Sequence, residues 1–294
     1  MISRAPLLLT ASVNLAAGAG TVADAAALSS PFRKPIWINE IRWTIRSNLS
    51  SPQSGWSPGA LVSTRMKIGR VDVTRDFIPI WNLGTSLQRS EASEQLFDNT
   101  VSNTASTYAH HRWLLPKPLY VLPGSTLSAS FQRLTASGAP FTGNFTVTVS
   151  YAGSYAHPNE PVPKEIAVPY ATYWQPTSAG FVTSGELNLA NPFQVPLHVQ
   201  RFIGRLSETS GGVAGFEDFS LTGGAVTVDM KDSQGYFVIK DLTTFSNAFD
   251  ILRRAWTYQR VLGPKQWYTA TVSGMTAVQD VGISLIGWRH EVYK

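Results

Sequence analysis

One pattern occurs twice in this chain. Pro31-Phe32-x-x-Pro35-Ile36-x-Ile38-x-x-Ile41 returns 161 residues later as Pro192-Phe193-x-x-Pro196-Leu197-x-Val199-x-x-Phe202, with three positions identical and three conservatively apolar. In both copies the apolar residues alternate, slip by one place, and alternate again. Ile36 and Ile38 are followed by Ile41, Trp43 and Ile45; Leu197 and Val199 are followed by Phe202, Gly204 and Leu206. Alternation turns one face of a strand toward a core, and a one-residue slip is what a β-bulge needs to keep that face inward. A shared slip constrains the fold more than shared residue types do, and it predicts two copies of one β-unit.

The ends of the two halves correspond as well. Phe145, Val147, Val149 and Tyr151 precede Gly153 much as Val281, Ile283 and Leu285 precede Gly287, each reading as an inward-facing closing strand. Upstream, Leu122-Pro123-Gly124 leads into Leu127, Ala129 and Phe131, while Leu262-Gly263-Pro264 leads into Tyr268, Ala270 and Val272. Each half also has one stretch expected to contain a helix. In the second half Phe245, Phe249, Leu252 and Trp256 fall at helical spacing, with Thr243, Thr244 or Ser246 available to cap the start. The counterpart at 83–97 carries Leu87 and the pair Glu91 and Glu94. Three prolines, Pro158, Pro161 and Pro163, stiffen the join. The expected division is 1–157 and 158–294, and 47–63 reads as a surface loop.

Composition agrees with a β-protein. Charged residues make up 15% of the 294, below the roughly 25% usual for soluble domains. The 24 Lys and Arg give a formal charge of +5 but are scattered singly or in pairs, so specific nucleic-acid binding is not expected. Without cysteine there is no disulfide or thiolate chemistry. The first 25 residues offer a basic start, an apolar stretch and an Ala-x-Ala site, but Thr10, Ser12 and Asn14 interrupt the apolar stretch, so a secretory signal is not expected. No window approaches the roughly 18 apolar residues of a membrane-spanning helix.

Two tandem eight-stranded units with proline-led first strands, a helical insertion in each and a Pro-rich join resemble the double jelly-roll major capsid proteins of tailless icosahedral viruses, including membrane-containing bacteriophages. The resemblance spans nearly the whole chain and is one of architecture. It implies an all-β double jelly roll and a structural, non-enzymatic coat protein made in the host cytoplasm and carried in the virion. It also implies pseudo-hexameric homotrimers that tile an icosahedral shell with neighbouring trimers and minor vertex or penton proteins, over an internal lipid membrane in some members. The 9 Trp, 10 Tyr and 14 Phe exceed what two small cores need, and aromatic residues suit subunit contacts. Trp56, Trp81, Tyr108, Trp113, Tyr173 and Trp174 are therefore candidate inter-subunit contacts, against the alternative of ordinary core packing.

Signs of catalysis or ligand chemistry are weak. His110, His111, His157, His198 and His290 have no metal-ligand spacing, and adjacent His110 and His111 would point to opposite faces of a strand. There is no Gly-x-Ser-x-Gly elbow, and Ser210-Gly211-Gly212 lacks the lysine of a phosphate loop. The carboxylates Asp72 and Asp76, the group Glu91, Glu94 and Asp98, and the set Asp229, Asp232 and Asp241 read as solvated faces without calcium-loop rhythm. Asn48 and Asn144 head glycosylation-type triplets at a frequency chance supplies. No catalytic residue, cofactor or metal is expected. The competing reading is a carbohydrate- or receptor-binding β-sandwich spike that uses exposed aromatic side chains, with a jelly-roll hydrolase third.

Overall fold

In the computed structural model the described residues are 5–18, 20–29, 34–47, 62–83, 85–86, 107–134, 143–176, 178–210, 213–215, 226–249, 255–276 and 279–292. The alternation seen in the sequence becomes strands. β1 (Pro6–Leu15) buries Leu9, Ala11 and Leu15 and turns Thr10, Ser12 and Asn14 outward, so the polar residues that break the apolar stretch are its solvent face.

The first unit continues with β2 (Val22–Asp24), β3 (Leu28–Ser29), β4 (Ile36–Ser47), β5 (Val62–Ile68), β6 (Val71–Asp72), β7 (Ile78–Pro79), β8 (Thr85–Ser86), β9 (Thr107–Val121), β10 (Thr126–Arg133) and β11 (Phe145–Tyr155). One sheet has the order β1-β11-β4-β9-β8. The other has β2-β10-β5-β6, with β3 on β10 and β7 on β5.

The second unit comprises β12 (Glu165–Trp174), β13 (Gly180–Thr183), β14 (Leu189–Ala190), β15 (Leu197–Ser210), β16 (Val213–Gly215), β17 (Thr227–Asp232), β18 (Phe237–Thr244), β19 (Ala255–Leu262), β20 (Trp267–Met275) and β21 (Gln279–Val292). Its sheets are β12-β21-β15-β16, with β19 on β15, and β13-β20-β17-β18, with β14 on β20. The main pairings repeat: β1-β11-β4-β9 corresponds to β12-β21-β15-β19 and β2-β10-β5 to β13-β20-β17, while β8 on β9 and β16 on β15 have no counterparts among the described residues. Each unit is a jelly roll of two facing sheets.

The two halves of the sequence repeat occupy equivalent places. β3 and β14 pair with the equivalent strands β10 and β20, and β4 and β15 are the third strands of equivalent sheets. The expected slip is a bulge in both, between Ile38 and Glu40 and between Val199 and Arg201. Leu127, Ala129 and Phe131 line the first core, and Tyr268, Ala270 and Val272 the second.

The helical expectation needs correction. Among the described residues of the second half only Phe245–Ala248 is helical, a single turn that buries Phe245 and Phe249, and Leu252 lies outside those residues. Trp256 is on β19, paired with Phe202. Aromatic and β-branched residues in Ala255–Leu262 favour an extended chain, and pairing with β15 satisfies its backbone. In the first half, Leu87, Glu91 and Glu94 lie outside the described residues, while Ile80–Asn82 forms one 3-10 turn.

Candidate functional site

The outward faces of two equivalent sheets differ. In the second unit the sheet containing β12, β21 and β15 is buried on both sides. Val281, Ile283 and Leu285 enter the second core, and on the opposite face of β21 Gly282, Ser284 and Ile286 are buried too. What covers them is the first unit's segment 73–83. Thr74 forms a parallel bridge with Ala171, the Ala171 amide donates to the Val73 carbonyl at 2.9 Å, and the Arg75 amide donates to the Ala171 carbonyl at 3.0 Å. A short stretch of the first unit thus lies along the edge strand β12 as an extra strand.

The 3-10 turn then seats on the sheet face. Asn82 Nδ2 donates to the Gly282 carbonyl at 3.3 Å, the Ser284 hydroxyl donates to the Asn82 carbonyl, and the Arg75 guanidinium donates to the Leu187 carbonyl. Gly282 is required here because a Cβ would collide with the Tyr173 ring. Ile166, Val168, Ala171, Ile203 and Ile286, all from the second unit, belong to the first unit's apolar cluster. With shared backbone bonds and a shared core, the units cannot swing apart without exposing both.

At one end of the seam Arg289 is almost fully buried. Its Nε donates to Glu291 Oε1 at 2.6 Å, its Nη2 to the Asp72 carbonyl at 3.4 Å, and its guanidinium lies 3.7 Å over the Phe193 ring. Burial lowers its pKa, with Glu291 opposing. Nearby Tyr170 is pushed up to about 12 by burial. Toward the other end, the Arg205 guanidinium sits 5.6 Å from the Trp81 ring.

The equivalent face of the first unit, on β1, β11 and β4, has no such cover within the described residues. Thr10 pairs with Ser150 at 3.1 Å, Ser12 with Thr148 at 2.8 Å, and Thr146 donates to Asn14 at 3.1 Å. Beyond this hydroxyl row, Arg42 and Arg112 flank Glu40 at 2.5 and 3.9 Å, and Leu8 is 59% exposed.

The sequence candidates are dispersed. Trp113 is fully buried in the first core and Trp174 in the second, because both fall on the inward phase of their strands; neither has surface to offer another chain. Trp81 and Tyr173 belong to the seam within the chain. Trp56 and the Tyr108 side chain lie outside the described residues. Sequence reading missed Asn82, Ser284, Arg289 and the cover segment. The one available signal was Val281–Gly287, apolar or small at nearly every position, as in a strand buried on both faces. Asp72 pairs with Lys67 and buried Asp232 with Arg260, so these two carboxylates serve charge pairing. Asn144 accepts from the Ala17 amide at 2.9 Å. Among the described residues no three His or carboxylate side chains converge as a metal site.

No protein-family model matches the chain, and no curated protein does. Solved structures do. The chain is similar to the STIV MCP, with 12% identity, 96% of each chain covered and a TM-score of 0.54. It is similar to a chain in the atomic structure of Sulfolobus Turreted Icosahedral Virus, with 12% identity, 97% and 90% covered and a TM-score of 0.53. For a chain of the PBCV-1 virus capsid the values are 10%, 99%, 95% and 0.52. The chain is a double jelly roll. Both barrels and the join between them are matched end to end in these structures, so the likeness extends to the tandem arrangement.

Proposed function

We propose that this double jelly roll is the major coat protein of an icosahedral virus, a structural protein of the virion, with its function in assembly. The observation that carries the reading is the unequal fate of two equivalent faces. The second barrel's β12-β21-β15 face is closed by the first barrel of the same chain. The first barrel's β1-β11-β4 face, built on the same pattern, has no such cover among the described residues and carries a row of paired hydroxyl side chains. An arrangement that seats barrel one on barrel two within a chain, repeated between chains, seats barrel two on the next chain's barrel one. Such a head-to-tail contact uses two different surfaces, and closes into a ring when the rotation allows. Three chains would then give six similar barrels, a pseudo-hexameric block able to tile a facet beside other trimers and to meet minor penton proteins at vertices. The similarity to structures named for a virus capsid and an MCP supports the same reading.

Within this scheme the units are 1–157 and 158–294, and Trp56 and Tyr108 remain proposed contacts between chains. Sedimentation of the purified full chain, followed by electron microscopy, tests the proposal. A trimer with hexagonal outline is expected; a strict monomer at high concentration overturns it.

A further inference from the structure

The second barrel carries its own copy of the segment by which the first barrel grips it. In the first barrel Val73 donates to the Met66 carbonyl at 2.9 Å and Ile78 pairs with Thr64, which leaves 74–77 as extra residues opposite β5. In the second, Met230 pairs with Ile239 and Val228 with Thr243, which leaves 240–242 as extra residues opposite β17. Met66 and Met230 are equivalent, because they pair with the matching Ala129 and Ala270.

Both stretches lead into a single helical turn in the same register. Pro79 pairs with Ser63 and Thr244 with Thr227, and the next residues, Ile80 and Phe245, are fully buried in their own cores. Asn82 and Asn247 each stand two residues further on. The turns differ in what they rest on. Ile80–Asn82 packs on β15 and β21 of the other barrel, whereas the main contacts of Phe245–Ala248 are with β17 and β18 of its own.

The receiving half is duplicated too. The first segment bonds to Ala171 on edge strand β12 and to Ser284 on β21. Ala171 pairs with Ile286, the residue before Gly287, and Ser284 stands three residues before that glycine. On the first barrel, Leu8 of edge strand β1 pairs with Ala152, the residue before Gly153, and Ser150 stands three residues before it. Leu8 therefore matches Ala171, and Ser150 matches Ser284 with the same side chain. Leu8 is 59% exposed, an apolar residue at the point where the matching strand takes on its added neighbour.

We infer that residues 239–247 of one chain dock on the β1–β11 face of a second copy, in the register of the seam within the chain. The inference rests on the coat reading and deepens it, by naming the docking segment and the residues that receive it. Residues 240–242 run beside the partner's Leu8 as an added parallel strand, so that backbone hydrogen bonds hold the edge. The Asn247 carbonyl accepts a hydrogen bond from the partner's Ser150 hydroxyl, as the Asn82 carbonyl does from Ser284. A one-turn helix leaves its last carbonyls without partners inside the helix. Ser150 is bonded to Thr10 at 3.1 Å, and a hydroxyl accepts one bond while donating another, so that pairing survives docking.

The chain has no cysteine, so an introduced pair reports this contact alone. Ser150→Cys with Asn247→Cys, mildly oxidised, is expected to run mostly as a covalent trimer on a non-reducing gel, since residues so placed meet the spacing a disulfide needs. Either substitution alone leaves one thiol per chain and should give no covalent trimer. Asn82→Cys with Ser284→Cys is the matching pair within the chain and should close without joining chains. A second variant needs no cross-link: Leu8→Glu, at an exposed position, should weaken association at least about tenfold with unchanged circular dichroism. An unlinked Ser150 and Asn247 pair, or Leu8→Glu chains that associate as tightly as the wild type, overturns the inference. If the wild type still sediments as a trimer in those cases, the coat reading stands without it; a wild-type monomer overturns both.

Discussion

Gly153 on β11 lies so close to the Trp37 carbonyl on β4 that a Cβ would overlap it, and Gly287 on β21 stands in the same relation to the His198 carbonyl on β15. Trp37 and His198 are 161 residues apart, the interval of the sequence repeat, and each sits beside the bulge of its strand. The bulge brings backbone toward the neighbouring strand, and only a residue without a side chain tolerates the approach. Gly153→Ala and Gly287→Ala are each expected to cost about 2 kcal/mol or more, read as a lowered thermal midpoint. Gly263→Ala, whose Cβ would meet only the movable Gln266 side chain, should stay within about 1 kcal/mol of wild type.

Arg289 links three parts of the seam: the Asp72 carbonyl of the first barrel, the Phe193 ring and the Glu291 carboxylate. Arg289→Ala removes the contact with the ring and the hydrogen bonds together and should cost about 3 kcal/mol. Arg289→Met keeps an apolar stem over Phe193 and should recover roughly half of that. Urea unfolding of both variants measures the difference.

The repeat was legible in sequence because its information is local. Alternation, the slip at Asn39 and Gln200, and the glycines opposite are all read along one strand, and they located β4, β10 and β11 with their counterparts. The helical spacing of Phe245, Phe249 and Trp256 misled because two residues of a helical turn and one of a following strand can share a period by coincidence. Trp113 and Trp174 were open to two readings, since sequence gives the phase of a strand but not which side another barrel covers. Asn82 and Ser284 were invisible for the same reason: their partners are set by the meeting of separate strands.

His198 is stacked on Trp288 at 4.1 Å, with the His290 ring 5.9 Å away; Lys117 lies over Trp288 at 5.6 Å, and Glu165 is 3.7 Å from His290. Burial, then the charges of His290 and Lys117, hold the His198 pKa below its ordinary 6.5. The folded state therefore binds the proton less readily than the unfolded chain. This contribution to stability is complete above about pH 6.5 and is lost as pH falls below it toward the folded value. The thermal midpoint of the wild type should fall between pH 7 and 5 by more than that of His198→Phe, which retains a stacked ring without a titrating group. An equal fall in both would remove His198 from the account.

The uncovered hydroxyl row on β1 and β11 is the surface on which a neighbouring chain is proposed to sit. Ser12 and Thr148 are paired at 2.8 Å near its middle. Ser12→Arg with Thr148→Arg would raise two long cations from that face. Being exposed on an intact strand pair, the substitutions should leave the barrel's stability within about 0.5 kcal/mol per site. Placed between docked chains, two unpaired cations and their bulk should weaken association by about 3 kcal/mol, roughly a hundredfold in dissociation constant. Equilibrium sedimentation should then show folded monomers where the wild type is expected to be a trimer, with unchanged far-ultraviolet circular dichroism. A trimer as tight as the wild type's would mean that this face is not the contact, and that the likeness between the two barrels does not extend to how chains meet.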